Sequence, residues 1–303
     1  MHTLQKLFKK INISCPLLFD EPLSMHTSFK IGGPAPVFAR PGNTVQAREI
    51  FSVCLENNLR WYAVGHGSNV LVSDKGLPGV VISFEELKGV TVNGTRVRAL
   101  SGTRLSDVVE EAQARGLGGL HPFHAMPGSV GGAIWMNARC YGASISDILE
   151  SVQVLDRAAR IETIPVNRDD FSYKKSPFQG RDLLILEGTF RLAAADPGSL
   201  RGRMDEIFAD RVNKGHFLYP CAGSVFKNNR DFGRPTGELI DSLGLKGYSI
   251  GGARVSERHA NIIINTGSAR ARDVKRLVEY IQRRVRERYG FELEREIIYL
   301  GEI

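Results

Sequence analysis

Two glycine-rich segments constrain what this chain can fold into more than any other feature of it. They are Gly65-His66-Gly67-Ser68-Asn69-Val70-Leu71-Val72-Ser73-Asp74-Lys75-Gly76 and Pro127-Gly128-Ser129-Val130-Gly131-Gly132-Ala133, the second running on to Asn137. Glycine lets a backbone come close to a ligand, and consecutive free N–H groups can cradle a pyrophosphate. Two such loops in one region point to a dinucleotide held between them. Neither is a Rossmann fingerprint: Gly65-His66-Gly67-Ser68-Asn69-Val70 lacks the third glycine, and the apolar run 70–72 follows where a helix should open. The order is strand, glycine loop, strand. One such loop is ordinarily a plain turn. The pair, with Ser and Asn embedded, reads as a phosphate or flavin cradle.

A chain of 303 residues can bury large cores and is expected to hold two or three domains. It has no run of eighteen apolar residues, so no membrane span is expected. The stretch 1–19 is basic, with apolar runs too short for a secretory leader. Leu4, Leu7, Phe8 and Ile11 recur at helical spacing and predict a short docked helix; a transit peptide is the alternative. Cys15, Cys54, Cys140 and Cys221 are far apart and form no CxxC pair. Neither a metal site nor a disulfide framework is expected, and a reducing cytoplasm fits.

The net charge of +7 is densest over 270–288. There Val274, Leu277, Val278, Ile281 and Val285 interleave with arginines at helical spacing, which predicts an amphipathic helix with a solvated basic face. Aromatics are read as absent from that face, so nucleic-acid binding is not expected.

Along the chain, a helix is expected over 45–58 and buried strands over 62–64 and 70–72. A strand pair follows over 90–100 around Asn93-Gly94, then a helix over 105–115 ended by glycines. Further strands are expected over 151–156, 161–165 and 183–191. Asp196-Pro197-Gly198 reads as a turn at a composition shift. Beyond it come a charged helix over 200–212, a short helix over 237–243, strands near Ile250 and over 262–264, the basic helix, and a last strand over 297–300. The class is α+β in three parts: 1–85, 86–196 and 197–303.

Six segments in order carry a resemblance. They are Thr27-Ser28-Phe29-Lys30-Ile31-Gly32-Gly33, the two glycine loops with Asn137 through Tyr141-Gly142, Tyr219-Pro220-Cys221-Ala222-Gly223-Ser224-Val225-Phe226-Lys227-Asn228, Leu245 through Ala253, and Leu293-Glu294-Arg295-Glu296-Ile297. Together they resemble the UDP-N-acetylmuramate dehydrogenase family, also called UDP-N-acetylenolpyruvoylglucosamine reductases, over about residues 20–302. The resemblance implies a two-part FAD-binding module of the vanillyl-alcohol oxidase/PCMH type plus a C-terminal α+β substrate domain. It also implies non-covalent FAD, NADPH as co-substrate, and reduction of an enolpyruvyl ether to a lactyl ether for peptidoglycan. The chain resembles the shorter family type, without an extra tyrosine-bearing insertion. A cytoplasmic monomer acting on a small nucleotide sugar is expected.

That reaction needs a hydride carrier, groups that stabilise an enolate-like charge on the substrate carboxylate, and an acid that protonates the α-carbon. The resemblance makes Ser224 the acid, although a serine after glycine is in isolation a turn hydroxyl. It makes Glu296, kept protonated by burial, a donor to the enolate. Glu294, two residues away on the same strand face, is not separable from Glu296 by spacing alone. The family's Tyr-Arg-x-Ser is here Tyr173-Lys174-Lys175-Ser176. Lys174 keeps the charge that clamps the carboxylate but lacks the planar two-pronged donor.

Gly65, His66, Gly67, Ser68, Asn69, Gly128, Ser129, Gly131, Gly132 and Asn137 are the expected cofactor-binding residues. Tyr173, Lys214, Tyr219, Lys227, Asn228 and His259 are the expected substrate-binding ones. Arg139 stands where the family has glycine. If that position needs a positive φ, it costs about 1 kcal/mol. Three other readings compete: a flavin oxidase of the same fold, which the Ser224 motif opposes; a flavin-binding divergent member with weak or different activity, motivated by Lys174 and Arg139; and a basic nucleic-acid binder.

Overall fold

The computed structural model describes residues 2–11 and 13–303. Seven helices occur among them: α1 (His2–Lys10), α2 (Thr44–Glu56), α3 (Leu105–Ala114), α4 (Val130–Trp135), α5 (Pro197–Asn213), α6 (Thr236–Asp241) and α7 (Ala271–Tyr289). The chain separates into two compact units. One comprises residues 1–20, 36–66 and 79–209, the other 21–35, 67–78 and 210–303.

The first unit contains two hydrophobic cores. One gathers Val37, Ala47, Ile50, Phe51, Cys54, Val80 and Ile82. Its sheet runs Leu17–Pro22, Pro34–Ala39, Val80–Ser83, Trp61–Val64, with Val80–Ser83 parallel to both Pro34–Ala39 and Trp61–Val64. Helix α2 buries Ala47, Ile50, Phe51 and Cys54, one stripe of a 3.6-residue repeat, and Asn43 caps it by accepting from the Gln46 N–H. The other core lies on a five-stranded antiparallel sheet in the order Ile161–Pro165, Leu149–Leu155, Leu184–Arg191, Arg96–Leu100, Val90–Asn93. It includes Val108, Val109, Ile134, Val152 and Phe190. The expected turn at Asp196-Pro197-Gly198 is instead the start of α5. Asp196 Oδ2 accepts from the Ser199 N–H at 2.6 Å, and Pro197 occupies the first helical position, where no donor is needed.

The second unit has one core, in which Phe29, Ile31 and Leu71 join residues from 222 onwards. Its antiparallel sheet runs Cys221–Ser224, Ile262–Asn265, Ala253–Val255, Ser249–Ile250. Val70–Val72 pairs in parallel with Ile298–Leu300. Segments 21–35 and 67–78 therefore pack with the C-terminal part, and 197–209 with the preceding part, so the compact units are not the three contiguous blocks expected. The buried stripe of α7 is the predicted one: Val274, Leu277, Val278, Ile281 and Val285. Its basic face does carry rings. Arg283 and Arg284 lie over Tyr280, which stacks on Tyr248 at 4.6 Å, and Arg288 lies over Tyr289. Tyr280 and Tyr289 are half-buried beneath these arginines, and Tyr248 is exposed. No described helix is long and apolar enough to cross a membrane.

Candidate active site

Gly65 and His66, which open the first glycine segment, meet the second loop inside the first unit. A Cβ on Gly65 would fall 2.1 Å from Ser129 Oγ, so only glycine permits this approach. Ser129 caps α4 by accepting from the Gly132 N–H at 3.3 Å. The second loop is tied to 101–105: the Gly131 N–H donates to the Ser101 carbonyl at 2.8 Å and Val130 N–H to Thr103 at 3.0 Å. The Ser101 hydroxyl is buried with no hydrogen-bond partner among the described residues, and Gly131 packs against its Cβ. An open polar atom beside the loop is what a polar cofactor would satisfy, so the residues fit a flavin cradle.

His66 donates from Nε2 to the Gly102 carbonyl at 2.9 Å, so its ring holds the loop. Gly67, Ser68 and Asn69 belong to the second unit. There the Ser28 N–H donates to the Gly67 carbonyl, and Asn69 Nδ2 donates to the Glu296 carbonyl at 3.3 Å.

Asn137 supports a neighbouring turn. It is buried, its Nδ2 donates to the Ser172 carbonyl at 2.9 Å, and its Oδ1 accepts from the Ser146 N–H at 3.1 Å. Ser172 and Lys175 close a two-residue turn with Tyr173 and Lys174 at its tip. Lys174 has φ +59°, and its ammonium lies 5.9 Å from the centre of the exposed Tyr173 ring. Ser176 Oγ anchors the turn by donating to the Trp135 carbonyl at 2.7 Å. Arg139 is not at a positive φ and carries no strain. It lies in the hairpin strand Arg139–Cys140, and the left-handed residues are Tyr141 and Gly142 at the turn beyond it. Arg139 Nη1 donates to Ser144 Oγ at 3.2 Å.

In the second unit, the strand bearing Ser224 runs alongside the C-terminal acidic segment. The Glu296 N–H donates to the Val225 carbonyl at 2.8 Å, and the Lys227 N–H to the Glu294 carbonyl at 2.9 Å. Geometry separates the two glutamates that spacing left equivalent. Glu294 is exposed and its Oε1 accepts from Lys227 Nζ at 2.5 Å, whereas Glu296 is half-buried. The half-buried Lys227 is thus held in place by an acid rather than left to solvent.

Lys214 pairs with Asp210 at 2.7 Å on the surface, and Tyr219 is exposed. Asn228 Oδ1 accepts from the Thr236 N–H at 2.9 Å. His259 Nδ1 accepts from the Asn261 N–H at 3.2 Å. Burial first, then the Lys214 charge, push the His259 pKa down, which keeps that nitrogen an acceptor. The His216 ring stands 5.9 Å away, and burial with Arg211 nearby pushes its pKa down to about 4.

Sequence reasoning missed Ser101, Asn261 and Asn265. The two asparagines flank the wholly buried run Ile262-Ile263-Ile264. A polar residue at each end of such a run was the available signal. No group of three or more His, Cys, Asp or Glu placed to hold a metal occurs among the described residues.

Comparison with known proteins converges on one family. Residues 35–164 match the FAD binding domain family, and residues 214–300 match the C-terminal domain of UDP-N-acetylenolpyruvoylglucosamine reductase. The first match spans both glycine loops, the second Ser224 and Glu296. A curated UDP-N-acetylenolpyruvoylglucosamine reductase from Clostridium botulinum (strain Okra) is 40% identical over 286 residues, 94% of this chain and 93% of its own length. One from Caldanaerobacter subterraneus subsp. tengcongensis is 41% identical over 286 residues, 94% of each chain. The crystal structure of UDP-N-acetylenolpyruvylglucosamine reductase from Thermus caldophilus superposes with a TM-score of 0.79 at 31% identity, covering 96% of this chain and all of that one.

Proposed function

The chain belongs to the UDP-N-acetylenolpyruvoylglucosamine reductase family, and from that premise we propose that it reduces the enolpyruvyl ether of UDP-N-acetylglucosamine to the lactyl ether with NADPH. The glycine loops around Gly65 and Gly128–Gly132 would hold FAD, which when bound would supply hydride chemistry between the nicotinamide and the enol ether. The protein orients the substrate, stabilises the charge that develops on its carboxylate, and delivers one proton.

Ser224 is the proton donor to the α-carbon. A serine hydroxyl is a weak acid, so it needs cationic surroundings, and Lys227 three residues on supplies one fixed charge. Glu296, rather than the solvated Glu294, is the second group at the developing enolate. Lys174 meets the substrate carboxylate with its ammonium, and Tyr173 beside it helps to hold the substrate. Asn137 acts through the turn it supports.

The observation that carries this reading is the hydrogen-bonded pairing of 225–227 with 294–296, which sets the Ser224 strand against Glu296. Ser224→Ala removes the acid and leaves this pairing intact. It should lower kcat by about 10²–10⁴-fold, with flavin content and reduction by NADPH unchanged. Turnover within a few-fold of wild type would remove Ser224 from the chemistry.

A further inference from the structure

We propose that Asn261 is a positioning residue for Ser224, replacing with its side chain a strand partner that the sheet does not provide. The proposal rests on the reading of Ser224 as the proton donor. The strand Cys221–Ser224 pairs with Ile262–Asn265 through Cys221 opposite Ile264 and Ser224 opposite Ile262. Three steps on one strand thus face two on the other, which is a β-bulge. Gly223 sits in it at φ +70°, with nothing within 4 Å of where a Cβ would lie, so conformation and not space asks for glycine. A bulge turns the following side chain away from the regular ladder, and the following residue is Ser224.

Past Ser224 the ladder with Ile262–Asn265 stops and Asn261 takes over. The Val225 N–H donates to the Asn261 carbonyl at 2.8 Å. The Phe226 N–H donates to Asn261 Oδ1 at 3.0 Å, and Asn261 Nδ2 donates to the Phe226 carbonyl at 2.8 Å. Of the remaining polar backbone atoms, the Val225 carbonyl accepts from the Glu296 N–H, the Lys227 N–H donates to the Glu294 carbonyl, and the Lys227 carbonyl accepts from Thr236 Oγ1 at 2.8 Å. Residues 225–227 are therefore gripped from both sides, by Asn261 on one and the acidic segment on the other. Asn261 is 2% exposed, so water does not compete for these bonds. His259, by accepting from the Asn261 N–H, fixes the asparagine in turn. A proton donor must be held within a fraction of an ångström to act, and this two-sided grip supplies that restraint.

The test compares both half-reactions anaerobically in wild type, Ser224→Ala and Asn261→Asp. Asn261→Asp is nearly isosteric and keeps the acceptor for the Phe226 N–H. Ionised, it turns the donor to the Phe226 carbonyl into a repelling oxygen. Flavin reduction by NADPH should stay within about two-fold of wild type, while reoxidation by the enolpyruvyl substrate slows by about 10–100-fold. The solvent deuterium effect on reoxidation should rise. Lowering the pH should restore the rate, because a protonated carboxyl donates again. Reoxidation at the wild-type rate at all pH values, or both half-reactions falling together, would overturn the proposal. If Ser224→Ala itself reoxidises normally, the reading of Ser224 has failed. If only Ser224→Ala is slow, the positioning role alone has failed. Should Asn261→Asp not fold, Gly223→Ala disturbs the same strand from the bulge side. The same selective loss is expected there, and its absence would overturn the proposal.

Discussion

Lys174 holds a left-handed backbone conformation at the tip of its turn, a cost of about 1–2 kcal/mol for a residue with a Cβ. The hydrogen bond from Asn137 to Ser172 and the anchor from Ser176 to Trp135 keep the turn in place. An arginine at this position bears the same backbone cost, so Lys174→Arg exchanges only the head group, a point charge for a planar fork. We expect kcat/KM to rise by about 3–10-fold, carboxylate recognition being stronger through two parallel bonds. A loss of that size would show that the pocket is shaped around lysine. At this scale the sequence singles out Ser224 and Glu296 through their motifs, and their roles belong to the proposed chemistry. The sequence was not legible where a polar side chain serves the backbone. Asn137 and His66 read as ligand contacts, yet their side-chain hydrogen bonds go to peptide groups. Arg139 read as a source of strain, but the left-handed positions fall two and three residues later.

Helix α7 illustrates the same limit for elements. Its amphipathic repeat announced it, but its N-terminal cap comes from 197 residues earlier in the chain. Asp74 Oδ1 accepts from the Ala271 N–H at 2.8 Å and Oδ2 from the Arg272 N–H at 3.4 Å. The end of the first glycine segment, read as part of a phosphate loop, thus terminates a helix. Asp74→Ala should destabilise the fold by about 1 kcal/mol, seen as a lower urea midpoint, and Asp74→Asn by less, since its amide oxygen still accepts. An unchanged midpoint would mean that Asp273, which accepts from the Arg270 N–H at 3.0 Å, suffices. Long periodic elements were placed to within a few residues. The short helix α4 and the strand Cys221–Ser224 were not foreseen, being too brief to display a period.

For the whole molecule, the buried apolar residues gather into three hydrophobic cores, while the two compact units do not follow chain order. Phe29, Ile31 and Leu71 are apolar residues that any nearby core could bury. Long-range bonds decide which one does: Val70–Val72 pairs in parallel with Ile298–Leu300, more than two hundred residues away, and Asn265 Nδ2 donates to the Phe29 carbonyl at 3.0 Å. Local pattern carries no record of such a pairing. Family motifs do, because they report a fold already selected as a whole, which is why six ordered segments identified the protein's class when periodicity alone gave only α+β.

The central claim is tested most directly by reducing the purified yellow protein with NADPH under anaerobic conditions and then adding UDP-N-acetylglucosamine enolpyruvate. The account predicts that the oxidised flavin spectrum returns at once, with one lactyl ether formed per flavin, and does not return without that substrate. A flavin that NADPH bleaches but only oxygen restores would contradict it.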